Sequence, residues 1–195
     1  MSALIVRGIS PKYAEDGVWV VLNQKCIRDS RVSFGPARRQ ERAVSEAKRI
    51  RAGDVLVNST GVGTLGRVAM YRGSSEGVSV DSHVTICRPA QAHLNPWYAM
   101  SLMTRQEEIE RMGGGATGQT ELRRADVEGL QLVRPTMAIA ELAEAAISPL
   151  HTQIDSLLAQ AEALSSLRDL LLPKLVTGQI DLSGLELDRL EGALS

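Results

Sequence analysis

Residues 53–69 read GDVLVNSTGVGTLGRVA, two apolar runs joined by a glycine-rich segment. The short apolar run in Asp54–Asn58 predicts a β-strand, and Arg67–Tyr71 predicts the next one. Between them, Gly61–Gly66 is typical of a turn whose backbone adopts positive φ angles. The segment therefore predicts a β-hairpin. Further short strands are predicted at Val18–Leu22, Val78–Val80 and His83–Arg88.

Outside this hairpin the composition changes once, at Pro135. Before that point, Pro96–Met112 predicts a helix that ends at Gly113–Gly115, because three glycines do not continue a stable helix. After it, the residues are mainly Ala, Leu and Glu and predict helix. We expect an α+β protein. Its predicted parts are a β-rich domain at 1–135, a helical region at 136–178 and a C-terminal tail at 179–195.

The helical region repeats apolar residues at an average spacing of 3.5 positions. Ser148 fits the N-cap and Pro149 the first position of a restarted helix. Residues 149–176 then predict a helix about 42 Å long. The spacing gives one narrow apolar seam, interrupted by Arg168, and such a seam requires a partner helix. The predicted pairing residues are Ile147, Leu150, Ile154, Leu157, Ala161, Leu164, Leu171 and Leu175.

Composition excludes several classes of protein. The chain has 195 residues, of which 44% are apolar and 23% charged, and this is typical of a globular protein with a buried core. It contains no apolar run long enough to span a membrane and no signal-peptide pattern at its start. Cys26 and Cys87 form neither a disulfide framework nor a CxxC metal pair. The expected location is therefore the cytoplasm, with both thiols reduced.

Charge is distributed unevenly along the chain. Residues 1–135 contain 19 Lys and Arg against 14 Asp and Glu, whereas residues 136–195 contain 3 against 9. The most basic window is Arg28–Arg51, with eight positive and three negative side chains. Arginine is suited to phosphate and to guanine in the major groove, so this window predicts a polyanion partner. A solvated surface segment is the alternative.

Three sequence patterns resemble enzyme motifs, but each lacks the neighbouring structure that the corresponding chemistry requires. Gly61–Gly66 matches GxGxxG, and Asp81 follows Gly61 by 20 residues, but a dinucleotide fingerprint needs a helix where the sequence predicts a strand. Asp81-Ser82-His83 has the residue types of a hydrolase triad, yet neighbours on a strand face opposite sides. The three histidines lack zinc-ligand spacing. The sequence predicts no catalytic residue, no metal and no cofactor. A nucleotide-dependent enzyme using Gly61–Gly66 remains the enzymatic alternative.

Four short segments form one ordered pattern. They are residues 53–69, VDSHV at 80–84 followed by Arg88-Pro89, GQTEL at 118–122 leading to LVRP at 132–135, and LRDLLLPKLVTGQI at 167–180. In this order, over about residues 4–182, they resemble the specificity (S) subunit of type I restriction–modification systems.

The resemblance implies a function in DNA recognition. A full S subunit of this family has two target recognition domains, each reading one half of a split DNA site, and two helical regions that pair antiparallel. The helices also dock methyltransferase (M) subunits, and the restriction (R) subunit joins that assembly. The S subunit itself has no catalytic residues. The resemblance therefore implies double-stranded DNA and an M subunit as partners, and leaves an R subunit open.

The chain departs from the full pattern in two respects. It has one recognition domain and one helical region without an internal repeat, and the family's usual lead-in before Ser2–Arg7 is missing. We expect a half-subunit that forms a homodimer through helix 149–176 and reads an interrupted palindrome. The alternative is a fragment of a split subunit that acts as a scaffold for an M subunit without reading DNA.

The residues that contact DNA are predicted from charge and loop position, because recognition-domain contacts vary too much across the family to carry over. Cations of the β-rich domain supply phosphate or base contacts, and polar side chains of Gly113–Thr120 approach the DNA backbone. The predicted residues are Lys12, Arg28, Arg38, Arg39, Arg42, Thr117 and Gln119.

Overall fold

The computed structural model describes residues 1–113 and 121–180. The strands in this part of the chain are β1 (Ser2–Arg7), β2 (Trp19–Leu22), β3 (Ile27–Arg28), β4 (Arg31–Val32), β5 (Arg38–Gln40), β6 (Val55–Asn58), β7 (Val68–Met70), β8 (Val78–Val80) and β9 (Val84–Pro89). The α-helices are α1 (Asn95–Met103), α2 (Gln106–Met112), α3 (Arg124–Glu128) and α4 (Met137–Val176). The predicted α+β class is confirmed.

The predicted glycine hairpin forms the centre of the main sheet. β6 and β7 pair antiparallel, and β9 and then β1 extend the sheet in the order β1-β9-β6-β7. Both faces of this sheet are buried, because successive residues of a strand point to opposite faces. Val55 and Val57 pack against residues of α1, α2 and α3, while Leu56 packs into a second core on the other face.

A second sheet covers that other face. Its order is β5-β2-β8, with β2 and β8 parallel and β5 antiparallel at the edge. Leu22 of β2 and Val80 of β8 are fully buried in the second core. The hairpin of β3 and β4 adds Ile27 to the same core. This packing leaves β5 at the sheet edge, where its arginines are exposed to solvent.

Two helix predictions are wrong in detail. The single helix expected over Pro96–Met112 is two helices, because Arg105 leaves helical geometry with φ −103° and ψ 14°. The restart expected at Ser148 does not occur, because α4 runs unbroken for 40 residues with Pro149 and Pro173 inside it. A proline in a helix removes one backbone donor, and α4 continues through both positions.

The chain divides into two compact units, Met1–Ile147 and Ser148–Ser195. The first contains all three sheets of the described chain, α1 to α3 and the first residues of α4. The second contains the rest of α4, which ends before Gly178, a glycine with φ +69°. Within the described ranges, no helix is long and apolar enough to cross a membrane.

Candidate nucleic-acid interface

A buried ion pair fixes the base of the glycine hairpin. Asp54, whose side chain is 2% exposed, accepts hydrogen bonds from Arg88 Nε at 2.8 Å and from Arg88 Nη2 at 2.7 Å. The same Nη2 donates to the Arg49 carbonyl at 2.7 Å, and Asp54 also accepts from the Arg51 backbone N–H at 2.8 Å. The hydrogen bonds to Asp54 raise the pKa of Arg88. The pair therefore ties the end of the basic window to the central sheet.

The Gly61–Gly66 turn is packed against other elements. Gly66 has φ +81°, and a Cβ there would lie 2.7 Å from the Cα of Glu110 in α2. Asn58 Nδ2 donates to the carbonyls of Gln24 at 2.9 Å and Thr64 at 3.0 Å. The segment that follows is strand β7, so the helix N-terminus that a dinucleotide needs is missing at this place. We interpret this turn as architectural.

Four of the predicted DNA-contacting residues lie together around β5. The backbone N–H of Ala14 donates to the Arg39 carbonyl at 3.1 Å, and that of Glu41 donates to the Lys12 carbonyl at 3.4 Å. Residues 12–14 therefore run along β5 on the side opposite β2. We call the resulting surface the β5 patch. It consists of Lys12, Tyr13, Arg38, Arg39, Glu41 and Arg42.

The cations of the β5 patch differ in how they are held. Lys12 forms an ion pair with Glu41, and its hydrogen bond lowers the pKa of that carboxylate. Arg39 Nη1 donates to the Gly17 carbonyl at 3.1 Å. The Arg38 guanidinium lies over the Tyr13 ring, 3.6 Å from its centroid. The described residues offer no hydrogen-bond partner to the side chains of Arg38 and Arg42.

Two buried or half-buried residues support this surface. Gln40, fully buried in β5, accepts a hydrogen bond from the Arg42 backbone N–H at 2.9 Å and donates to the Arg42 carbonyl. It therefore fixes the backbone at Arg42. Burial, followed by the negative charge of Asp81, raises the pKa of the Tyr13 hydroxyl. Tyr13 accordingly presents a neutral ring to Arg38.

Arg28 lies on a different element. It sits in the β3–β4 hairpin directly opposite Arg31, and the turn residues Asp29 and Ser30 have φ angles of 51° and 57°. Its side chain is 76% exposed, with Nε 3.6 Å from Asp29 Oδ2. Like charges paired across a hairpin destabilise it. The sequence prediction grouped Arg28 with Arg38, whereas the structure places the two on separate sheets.

The remaining cations of the basic window make contacts within the protein. Lys48 Nζ donates to the Gly8 carbonyl at 2.8 Å. Arg49 and Arg51 both form ion pairs with Glu46, at 3.1 Å and 2.6 Å, and Arg49 also lies 5.0 Å from the Trp19 ring centroid. This part of the window therefore stabilises the fold.

Comparison with solved structures identifies the fold. A type I restriction–modification S subunit from M. genitalium aligns with TM-score 0.62 at 15% identity, covering 95% of this chain and 45% of that one. The S (HsdS) subunit from Thermoanaerobacter tengcongensis aligns with TM-score 0.52 at 19% identity, covering 87% and 41%. A chain from a type I restriction–modification assembly gives 0.51 at 19%, covering 85% and 40%. The chain has the S-subunit fold.

The likeness covers less than half of each of these chains, between 40% and 45% of their length. No protein-family model and no curated protein sequence matches the chain. These comparisons therefore show similarity to S subunits in fold and not in sequence.

Thr117 and Gln119 lie outside the described residues. The residues on either side of that segment are described, and both approach the glycine hairpin. A Cβ on Gly113 would lie 2.4 Å from Leu65 Cδ2, and Glu121 forms a β-bridge with Thr60. The two described residues that flank this segment, Gly113 and Glu121, therefore both lie beside the glycine hairpin.

The apolar seam of α4 is open to solvent in the described chain. Leu157 is 56% exposed and Leu164 66%. Leu150 and Ala161 are also exposed, whereas Ile147, Ile154, Leu171 and Leu175 are half-buried. All eight predicted pairing residues lie within this one helix. A helix in water gains most of its stability from burying such a face.

The described residues contain no arrangement typical of an active site. Asp81 Oδ1 accepts from the backbone N–H of His83 at 2.9 Å, while Nδ1 of that imidazole is hydrogen-bonded to Thr60 Oγ1 at 2.6 Å. Asp81 and His83 therefore form no catalytic relay with each other. Within the described ranges, no three His, Cys, Asp or Glu side chains are grouped to hold a metal.

Proposed function

We propose that the chain is a non-catalytic DNA-recognition subunit of a type I restriction–modification complex. The single observation that carries the DNA-binding part is the β5 patch, where exposed cations from two chain segments share one sheet edge. Phosphate and base contacts require this combination of positive charge and free donors. The S-subunit fold supports the same assignment. Action on DNA would place the protein in the cytoplasm.

Helix α4 is assigned to pairing with a second copy of the chain. The support is its exposed apolar seam, with Leu157 and Leu164 more than half exposed. Two copies related by a two-fold axis would present two recognition domains, so the DNA site would be an interrupted palindrome. The paired helices would also dock an M subunit, and through it an R subunit. An M subunit bound without DNA recognition is the alternative function.

The test of DNA recognition is a binding titration with the full chain and fluorescent duplex DNA. The variant Arg38→Glu/Arg39→Glu reverses two charges of the β5 patch. The matched control, Arg111→Glu/Arg124→Glu, makes the same charge change on α2 and α3, where both arginines are exposed. We expect the first variant to lose at least tenfold in affinity and the control to stay within threefold. Equal losses would mean that the β5 patch is not the interface.

Salt dependence adds a second readout to this titration. Each phosphate contact contributes about 0.9 to the slope of log affinity against log salt concentration. A chain that binds DNA should therefore bind more weakly as salt rises. Co-purification with an M subunit in the absence of any DNA binding would instead select the scaffold function.

A further inference from the structure

Arg38 is held differently from the other cations of the β5 patch. Its guanidinium lies 3.6 Å from the centroid of the Tyr13 ring, whereas Lys12 and Arg39 form polar contacts with Glu41 and the Gly17 carbonyl. In the described part of the chain, the Arg38 side chain donates no hydrogen bond. The N–H groups of its guanidinium are therefore free, while the contact with the Tyr13 ring holds the side chain in place.

Stacking on an aromatic ring prepares an arginine for recognition. The contact uses the face of the guanidinium, so the N–H groups at its edge keep their fixed fork geometry. Holding the side chain before binding lowers the conformational entropy that binding must otherwise cost. A fork of this kind matches two acceptors in one plane, and guanine presents such a pair, O6 and N7, in the major groove.

The surroundings of Arg38 favour a base over a phosphate. Arg38 and Tyr13 line an open cavity of about 370 Å³ together with Ala14, Glu15 and Arg39. The carboxylate of Glu15 weakens the attraction that the two arginines exert on a phosphate in this cavity. The same carboxylate can accept a hydrogen bond from the cytosine amino group, the partner of guanine in a base pair.

We infer that Arg38, held by the Tyr13 ring, reads a guanine in the major groove and is a specificity-determining residue of this recognition domain. The inference rests on the DNA-recognition function proposed above. It assigns a positioning role to Tyr13, a residue that the charge pattern of the sequence did not single out. Arg42 and Lys12 are left as phosphate contacts.

The test is selection of duplexes from a randomised DNA pool by the full chain. Arg38→Lys keeps the charge and loses the fork, so we expect the preference for guanine at one position to fall about tenfold with total affinity for the pool nearly kept. Tyr13→Leu should weaken the same preference, because it removes the ring. Tyr13→Phe keeps the ring and should leave the preference unchanged. Arg111→Lys, at an exposed position of α2 outside the β5 patch, is the matched control and should also leave it unchanged.

Other outcomes overturn the inference. If Arg38→Lys keeps the guanine preference and Arg38→Gln lowers the salt slope by about 0.9, Arg38 contacts a phosphate. If the unmodified chain binds duplexes but enriches no sequence, the chain has no base reader, although DNA binding stands. If it binds no duplex at all, the proposed function itself fails. Thermal unfolding of each variant, followed by tryptophan fluorescence, separates lost recognition from lost folding.

Discussion

The two units of the chain differ in the solvent exposure of their apolar residues. In Met1–Ile147, the central sheet is covered on both faces, and Leu56 of β6 has no solvent exposure. In the second unit, Leu157 of α4 is 56% exposed and belongs to a seam of similar residues. The first unit therefore supplies its own core, whereas the apolar seam of α4 remains exposed in the described chain.

The relation between stability and the proposed function therefore differs between the two units. In the first unit, the residues proposed to recognise DNA occupy a sheet edge, and substitutions there need not disturb the core. In the second unit, the same leucines that would stabilise the helix would also form the interface. A matched substitution made once in each unit should accordingly give different effects on folding and on association.

The largest expected effect comes from the buried ion pair. Replacing Arg88 by Met leaves the Asp54 carboxylate, 2% exposed, without its charged partner. Breaking a buried pair by removing one member costs about 3–5 kcal/mol. We expect Arg88→Met to lower the free energy of unfolding of the first unit by this amount. Urea unfolding can follow this unit alone, because both tryptophans of the chain, Trp19 and Trp97, lie in it.

The control is the corresponding change in the second unit. Arg168 forms an ion pair with Asp169 at 2.6 Å, but both side chains are more than 60% exposed. Exposed pairs contribute about 0–1 kcal/mol, so Arg168→Met should leave the unfolding midpoint of the first unit unchanged. A loss below about 1 kcal/mol for Arg88→Met would contradict the role given to the buried pair.

A second matched pair tests the apolar residues directly. Leu56→Ala should cost the first unit about 2–5 kcal/mol, because it opens a cavity between the two sheets. Leu157→Ala should leave the unfolding of that unit unchanged and instead weaken self-association. Losing about 2 kcal/mol of apolar burial would raise the dissociation constant more than tenfold.

Sedimentation velocity at tens of micromolar measures the association, and urea unfolding measures the stability. If the unmodified chain is only monomeric at that concentration, the self-pairing assignment of α4 is wrong. Its seam would then belong to an M subunit or to another S fragment. If Leu157→Ala destabilises the first unit as much as Leu56→Ala, the contrast between the two units is wrong.

The sequence predicted those strands, turns and helices that are determined by residues close together in the chain. Short runs rich in apolar and β-branched residues predicted β6 and β9, the glycines predicted the turn between β6 and β7, and the 3.5-residue repeat predicted a long helix. β5 was not predicted, since Arg38-Arg39-Gln40 has no apolar alternation. Its place depends on pairing with β2 and with residues 12–14, and such long-range pairing leaves no local pattern.

The candidate site was predictable to the same limited extent. Charge density located the basic window and within it Arg38, Arg39 and Arg42. It did not show that Lys48 and Arg51 are used to hold the fold. The contacts that distinguish these residues join elements far apart in the chain, as in the 25-residue separation between Tyr13 and Arg38.

The smallest of these effects is expected at Gly178, whose counterpart in the first unit is Gly66. Gly66 has φ +81° and Gly178 has φ +69°. Alanine in the left-handed region costs about 1–2 kcal/mol, and this is the whole cost expected at Gly178, where no described atom would lie within 4 Å of the new Cβ. At Gly66 the new Cβ would lie 2.7 Å from the Cα of Glu110, so α2 must also move.

We therefore expect Gly66→Ala to cost the first unit about 2–5 kcal/mol, the sum of backbone strain and overpacking. Gly178→Ala should leave that unit unchanged and shorten α4 by at most its last turn, which far-ultraviolet circular dichroism would detect. Gly63→Ala is the internal control, because Gly63 has φ +70° but open space around it. If Gly63→Ala and Gly66→Ala destabilise equally, strain alone explains the glycines and the contact of the turn with α2 contributes nothing. A larger cost at Gly66 would show that the packing of the turn against α2 contributes to the stability of the first unit.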